Sequence, residues 1–71
     1  MVLVVARDYN QYVDYLAVNG YSKDEYKLVA GLDSILGYEW DTLEITVLDA
    51  GAPIMVNHYF RSMLEYIREK P

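Results

Sequence analysis

An unbroken apolar segment near the N-terminus, Val2-Leu3-Val4-Val5-Ala6, constrains the fold of this chain more than any other feature. Three of its five residues are β-branched valines, which favour a strand over a helix. No polar residue interrupts the segment, so a strand formed here has to be covered on both faces, as strands of parallel sheets are. The segment therefore predicts the central strand of a parallel sheet in an α/β domain.

A helix is expected directly after this strand. Asp8 and Gln11 have the spacing of a capping box, in which a side chain at each end of the first turn binds backbone amides. Asn19-Gly20 supplies the left-handed residue that commonly ends a helix. Between these two signals, apolar residues recur at helical spacing: Tyr9, Tyr12, Val13, Leu16 and Ala17.

Two further strands and a second helix are predicted from the rest of the chain. Tyr26–Ala30 is expected to form the second strand, after a single turn at Ser22–Glu25. Apolar and polar residues alternate from Thr42 to Leu48, which predicts an edge strand with one face on the core. Pro53 suits the first turn of a helix that should continue to the C-terminus. The apolar stripe of that helix comprises Val56, Phe60, Met63, Leu64 and Ile67.

The element order β-α-β-β-α predicts one α/β domain over residues 1–71, with a three-stranded, mainly parallel sheet and two main helices. A right-handed crossover should pair the first two strands in parallel. Since the most apolar strand belongs in the centre, the expected spatial order is 2-1-3. The residues expected in the core are Val4, Val5, Leu16, Val29, Ile45, Val47, Phe60 and Leu64.

The C-terminal ends of the first and third strands are a candidate ligand site, because α/β folds usually bind ligands where the chain leaves neighbouring strands in different directions. Arg7, Asp8, Asp49 and Gly51 fall there, and we expect Arg7 and Asp49 to approach each other. Helix N-termini at this end would attract an anion, but two carboxylates oppose that use. Asp8 and Asp49 are explained more simply as a helix cap and a turn residue.

Several of these segments resemble small proteins encoded by tailed bacteriophages. The resemblance lies in the strand Val2–Ala6 followed by Arg7, the helix with Tyr15-Leu16 leading to Asn19-Gly20, the turn Ser22–Glu25, the strand Tyr26–Ala30 and Leu36-Gly37. It spans residues 2–50. It implies a shortened Rossmann-like domain, a phage origin and action in the host cytoplasm. That family has no established catalytic or binding residue to carry over.

No motif in the chain predicts an enzyme. The strand-to-helix turn at residues 6–9 lacks the glycines that close a backbone loop on phosphates. His58 is the only imidazole, and Ser62 lies within reach on the same helix, but a triad also needs an orienting group and an oxyanion site. Glu39 and Asp41 give too few converging oxygens for a divalent cation. The sequence predicts no catalytic residue, no metal and no cofactor.

The net charge of −5 bears on the partners and location of this chain. Nucleic acid and anionic membranes would repel it, so we expect no direct nucleic-acid partner and no membrane association. Basic protein partners are favoured instead. The chain has no cysteine, which fits a reducing cytoplasm, and its N-terminus lacks the basic segment of a signal peptide. We expect a cytoplasmic protein.

Tyrosine is the unusual component: eight in 71 residues, with 14% aromatic residues in all. Tyrosine combines a large apolar ring with one polar tip and is enriched at protein interfaces. The candidate partner-binding residues are Tyr15 outside the inner stripe of the first helix, Trp40, and the Met55, Tyr59, Tyr66 flank of the last helix. A helix with a wide buried face and half-exposed tyrosines is the alternative explanation.

These features favour a non-enzymatic interaction protein that binds and modulates a host or phage protein through an acidic, tyrosine-rich surface. The alternative is a small-ligand or anion binder that uses the crevice at the strand ends. An acidic DNA mimic would need a regular row of carboxylates, which the sequence lacks.

We also expect a homodimer with the last helix at or near its interface, because two helices cannot cover every surface of the sheet. If both helices lie on one face, a second copy should cover Val2 and Val4 on the other. If they lie on opposite faces, the Tyr59 and Tyr66 flank should pair across a two-fold axis.

Overall fold

The computed structural model of this chain describes residues 1–70. The strands are β1 (Val2–Val5), β2 (Tyr26–Leu28) and β3 (Glu44–Val47), and the helices are α1 (Tyr9–Asn19) and α2 (His58–Glu69). Short 3-10 turns span Leu32–Ser34, Trp40–Thr42 and Pro53–Val56. The predicted order β-α-β-β-α is confirmed, and each strand is shorter than its sequence pattern.

All three strands are parallel and their order is β2-β1-β3, as predicted. Leu3 in the central strand lies beside Lys27 on one side and Ile45 on the other. Leu3, Val4 and Val5 have no exposed surface. The unbroken apolar segment at the N-terminus is therefore the central, fully covered strand.

The two helices cover opposite faces of the sheet. Leu3 points toward α2, where it shares a core cluster with Phe60. Val4, the next residue, points to the other face and packs with Leu16 of α1. The arrangement with both helices on one face, which would have left Val2 and Val4 to a second copy, is therefore wrong: Val4 is covered by α1 within the same chain.

Most of the expected core residues are buried, namely Val4, Val5, Leu16, Val29, Phe60 and Leu64. Ile45 and Val47 are only partly buried, because β3 is an edge strand with no neighbour on its outer side. Two residues that were not among the expected core residues, Ile35 and Leu43, are almost completely buried. Leu43 belongs to the alternating segment Thr42–Leu48 and lies directly before β3, whereas Ile35 follows a short 3-10 turn, where no repeat of apolar residues gives a guide.

Helix α1 begins and ends where the sequence predicts. The Asp8 carboxylate accepts a hydrogen bond from the backbone amide of Gln11 at 2.9 Å. The Gln11 side chain accepts from the amide of Arg7, one residue before the position that a capping box specifies. Gly20 ends the helix in the left-handed conformation with φ +68°, which glycine adopts without strain.

Helix α2 begins later than predicted. Residues Pro53–Val56 form a separate 3-10 turn, and Asn57 then leaves helical geometry with ψ 125°. Its side chain accepts from the amide of Phe60 at 3.0 Å, so Asn57 caps a new helix. Val56 is therefore not part of the apolar stripe, and 79% of its surface is exposed.

Candidate functional site

Three aromatic side chains form one surface on the α2 side of the molecule, which we call the aromatic surface: Trp40, Tyr59 and Tyr66. The ring centres of Tyr59 and Tyr66 each lie 5.7 Å from the ring centre of Trp40, at interplanar angles of 75° and 56°. Trp40 is partly buried against the core, whereas each tyrosine is 45% exposed. The tryptophan thus anchors two exposed tyrosines in place.

The turn that carries Trp40 is fastened to α2 by polar contacts. The Tyr66 hydroxyl donates a hydrogen bond to the Asp41 carboxylate, and this bond raises the pKa of the phenol above its ordinary value. The Lys70 ammonium donates to the backbone carbonyls of Asp41 at 2.7 Å and of Leu43 at 3.2 Å. These contacts hold the aromatic surface together, so little side-chain freedom remains to be lost when it binds.

Asp41 is thereby committed to a protein contact. Among residues 1–70, no group of three or more histidines, cysteines, aspartates and glutamates is placed to hold a metal ion. Glu39 and Asp41 are both exposed beside Trp40. Their charges therefore contribute to the aromatic surface as an acidic border.

Tyr15, also predicted as a partner-binding residue, lies elsewhere. It belongs to α1 and forms an edge-on cluster with Tyr21 and Tyr26 on the opposite face of the sheet, with ring centres 5.7 Å and 6.4 Å away. Tyr21 and Tyr26 stack at 4.3 Å with an interplanar angle of 4°. This cluster of three tyrosines was not predicted, although Tyr21 and Tyr26 flank the same turn in the sequence. Met55, which was predicted on the flank of the last helix, lies instead in the 3-10 turn before α2, because the helix begins only after Asn57. It is half-buried and packs against the core on the α2 side.

A cavity of about 300 Å³ opens at the C-terminal ends of β1 and β2. Its walls include Arg7 and Asp8 after β1, Ala30 after β2, and the buried side chains of Ala52 and Ile54. This is the end of the sheet at which a ligand site was predicted, and Arg7 and Asp8 lie there as expected.

Asp49 and Gly51, the other two predicted ligand residues, do not line this cavity. The backbone amides of Leu48 and Asp49 both donate to the carbonyl of Val5, at 2.8 Å and 3.3 Å, which holds the chain against the end of β1. The Asp49 carboxylate accepts from the amide of Gly51 at 2.8 Å and closes a tight turn. The predicted crevice between β1 and β3 is therefore bridged by the chain itself, and the cavity lies on the β2 side.

The charges at the cavity differ from the predicted pairing. The Arg7 guanidinium Nε lies 3.1 Å from the Asp8 carboxylate and pairs with it rather than with Asp49. The hydrogen bond from the Gln11 amide, followed by that from Arg7, holds the pKa of the Asp8 carboxyl below its ordinary value. The ionised Asp8 side chain thus sits at the N-terminus of α1, where an anionic ligand would have to bind.

Comparisons with known proteins give no relative for this chain: no family model matches it, and neither a curated protein nor a solved structure is significantly similar. Within residues 1–70, no helix has the length and apolar character needed to cross a membrane. The aromatic surface and the cavity at the strand ends are therefore the features that bear on function.

Proposed function

We propose that this chain is a non-enzymatic interaction protein that binds and modulates another protein through the aromatic surface. The observation that carries the proposal is the exposure of Tyr59 and Tyr66 beside a fixed Trp40. Residues of these types supply most of the binding energy in many interfaces, because large rigid rings lose much water contact at little entropic cost. If these rings served only to stabilise the domain, burying them would contribute more to the free energy of unfolding than leaving them half-exposed.

The charge of the chain supports a basic partner. Glu39 and Asp41 border Trp40, and the whole chain carries a net charge of −5. A lysine or arginine placed over the face of an indole ring, with carboxylates at its side, gains both cation–π and ionic attraction. We therefore propose a partner surface that presents a basic side chain next to apolar ones. The resemblance to phage proteins suggests a partner in the cytoplasm of a bacterial host.

The test compares two double variants in their capture of partners from a bacterial lysate. Tyr59→Ala with Tyr66→Ala removes both exposed rings of the aromatic surface. Tyr9→Ala with Tyr21→Ala removes two tyrosines that are 56% and 40% exposed on the α1 side, and it serves as the matched control. We expect the first pair to lower the affinity for the captured protein at least about tenfold, since interface tyrosines often contribute more than 1 kcal/mol each.

The control pair should bind like the unchanged chain. Binding should also weaken as salt is raised, because ionic attraction to a basic partner is screened. If the control pair loses as much affinity as the first pair, or if neither loses any, the aromatic surface is not the binding site.

A second candidate function, small-ligand binding, is favoured by the cavity at the strand ends. Its volume of about 300 Å³ is at the lower end for ligand pockets. Because Asp8 neutralises Arg7 and occupies the start of α1, we expect a small, largely apolar ligand rather than an anion.

A thermal-shift screen tests this function. A ligand present at 100 times its Kd should stabilise the fold by about 2.7 kcal/mol. Ala30→Trp would fill the mouth of the cavity and should abolish the shift, whereas Ala17→Trp, at an exposed position of α1, should preserve it. A shift that survives Ala30→Trp would show that the ligand binds elsewhere.

A further inference from the structure

The two edges of the sheet differ in whether their backbone groups find partners. Along β2, the amide of Tyr26 donates to the carbonyl of Ser22 at 3.2 Å, and the Tyr12 hydroxyl donates to the carbonyl of Tyr26 at 2.7 Å. The amide of Ala30, just beyond this strand, donates to the Ser34 hydroxyl at 3.4 Å. The outward amides of Tyr26 and Ala30 and the carbonyl of Tyr26 are therefore bound by groups of the same chain, which is one way in which monomeric proteins protect a sheet edge.

The outer edge of β3 is open. The amides of Glu44 and Leu48 point inward and donate to carbonyls of β1 and its N-terminal neighbour, at 3.1 Å and 2.8 Å. Because backbone groups alternate in direction along a strand, the amides of Ile45 and Val47 point outward. Within residues 1–70 these two amides have no acceptor. The side chains of Ile45 and Val47 are half-buried.

We propose that the β3 edges of two copies pair in the antiparallel direction about a two-fold axis and join the two sheets into one. In this arrangement Ile45 of each copy lies opposite Val47 of the other, and the two residues exchange both N–H···O=C bonds. Thr46 meets Thr46 of the second copy on the axis as a pair without backbone hydrogen bonds. Every outward amide of β3 then has an acceptor.

The free backbone groups of β3, those of Ile45 and Val47, match a second copy of the same strand in one register. Lys70 lies at the β3 edge, where its ammonium contacts the carbonyl of Leu43. Beyond Ile45 and Val47 the backbone groups are already bound within the chain: Lys70 binds the Leu43 carbonyl, and the Asp49 amide donates inward to Val5. Glu44 lies opposite Leu48, and no like charges face each other directly. Shifting the register by two residues would set Val47 opposite Leu43 or Ile45 opposite Asp49, whose backbone groups are already bound within their own chain.

A second copy is thus a specific occupant for this edge, and its binding is independent of the aromatic surface and of any foreign partner. The same geometry brings the C-terminal end of α2 next to the interface through Lys70. The apolar side chains of Ile45 and Val47, which a single chain leaves half-exposed, would pack against each other across the axis.

The absence of cysteine from the chain allows a direct test with single cysteines. In the proposed register, the two Thr46 Cα atoms lie about 4.5 Å apart, within the range that a disulfide spans. We expect Thr46→Cys to form a covalent dimer under mild oxidation. Glu44→Cys is the matched control, because it lies on the same strand and the same face but its two copies are about 13 Å apart along the strands.

We expect cross-linking of Thr46→Cys to be at least about tenfold faster than that of Glu44→Cys. Equal rates, or faster cross-linking of Glu44→Cys, would overturn the proposed register. Sedimentation equilibrium adds a measurement without cysteine: the unchanged chain should be a dimer at high micromolar concentration. Thr46→Lys should make it monomeric by placing like charges on the axis, while a cooperative thermal unfolding transition shows that the variant still folds. A monomeric unchanged chain, or a dimer that persists in Thr46→Lys, would overturn the proposal.

Discussion

Replacing Phe60 with alanine is expected to lower the free energy of unfolding by about 3–5 kcal/mol. Among residues 1–70, Phe60 has the largest of the fully buried side chains. It belongs to α2 and packs in the same core cluster as Leu3 of the central strand. The substitution removes the transfer free energy of the ring and leaves a cavity between helix and sheet. Since small domains have only about 5–15 kcal/mol of stability, Phe60→Ala should leave a large fraction of the chain unfolded at moderate temperature.

Urea unfolding followed by far-UV circular dichroism measures this loss. Ser62→Ala is the matched control, because Ser62 is exposed on the same helix and its truncation should change stability by no more than about 0.5 kcal/mol. Equal midpoints for Phe60→Ala and Ser62→Ala would mean that α2 presents a different face to the sheet.

The sheet was predictable because its signals are local. The uninterrupted apolar composition of Val2–Ala6 indicates that β1 is covered on both faces. The alternation of apolar and polar residues around Ile45 indicates that β3 is covered on one face only and lies at an edge. The strand order and the parallel direction follow from these two facts and the handedness of crossovers. The predicted start of α2 was wrong because Pro53 and Asn57 are both residues that commonly begin a helix. Only the three-dimensional structure shows that Asn57 caps the long helix.

The candidate site was predictable only in part. The aromatic residues were found because tyrosine is abundant, and the spacing of Tyr59 and Tyr66 placed them on one side of α2. Helical spacing does not reveal which sheet face a helix covers, so Tyr15 was grouped with residues on the opposite side of the molecule. The contact between Trp40 and α2 depends on hydrogen bonds that Tyr66 and Lys70 donate to Asp41. These donors lie 25 and 29 positions from Asp41 in the sequence, so no local pattern predicts the bonds.

Tyr12 connects the core on the α1 side to the β2 edge of the sheet, and two substitutions separate these roles. Its side chain is 5% exposed and packs with Val4 and Leu16, so Tyr12→Ala should cost about 3–5 kcal/mol through loss of the ring. Tyr12→Phe keeps the ring and removes only the hydrogen bond to the carbonyl of Tyr26, which should cost about 0.5–1.5 kcal/mol.

Urea unfolding of both variants checks the division between ring and hydroxyl. If Tyr12→Phe were as destabilising as Tyr12→Ala, the bond to the β2 edge rather than the packing of the ring would hold α1 on the sheet. If Tyr12→Phe cost nothing, water would be replacing the hydroxyl at the carbonyl of Tyr26, and the β2 edge would be more accessible than its hydrogen bonds indicate. We expect the intermediate result, because the hydroxyl contact is only partly buried whereas the ring is almost fully buried.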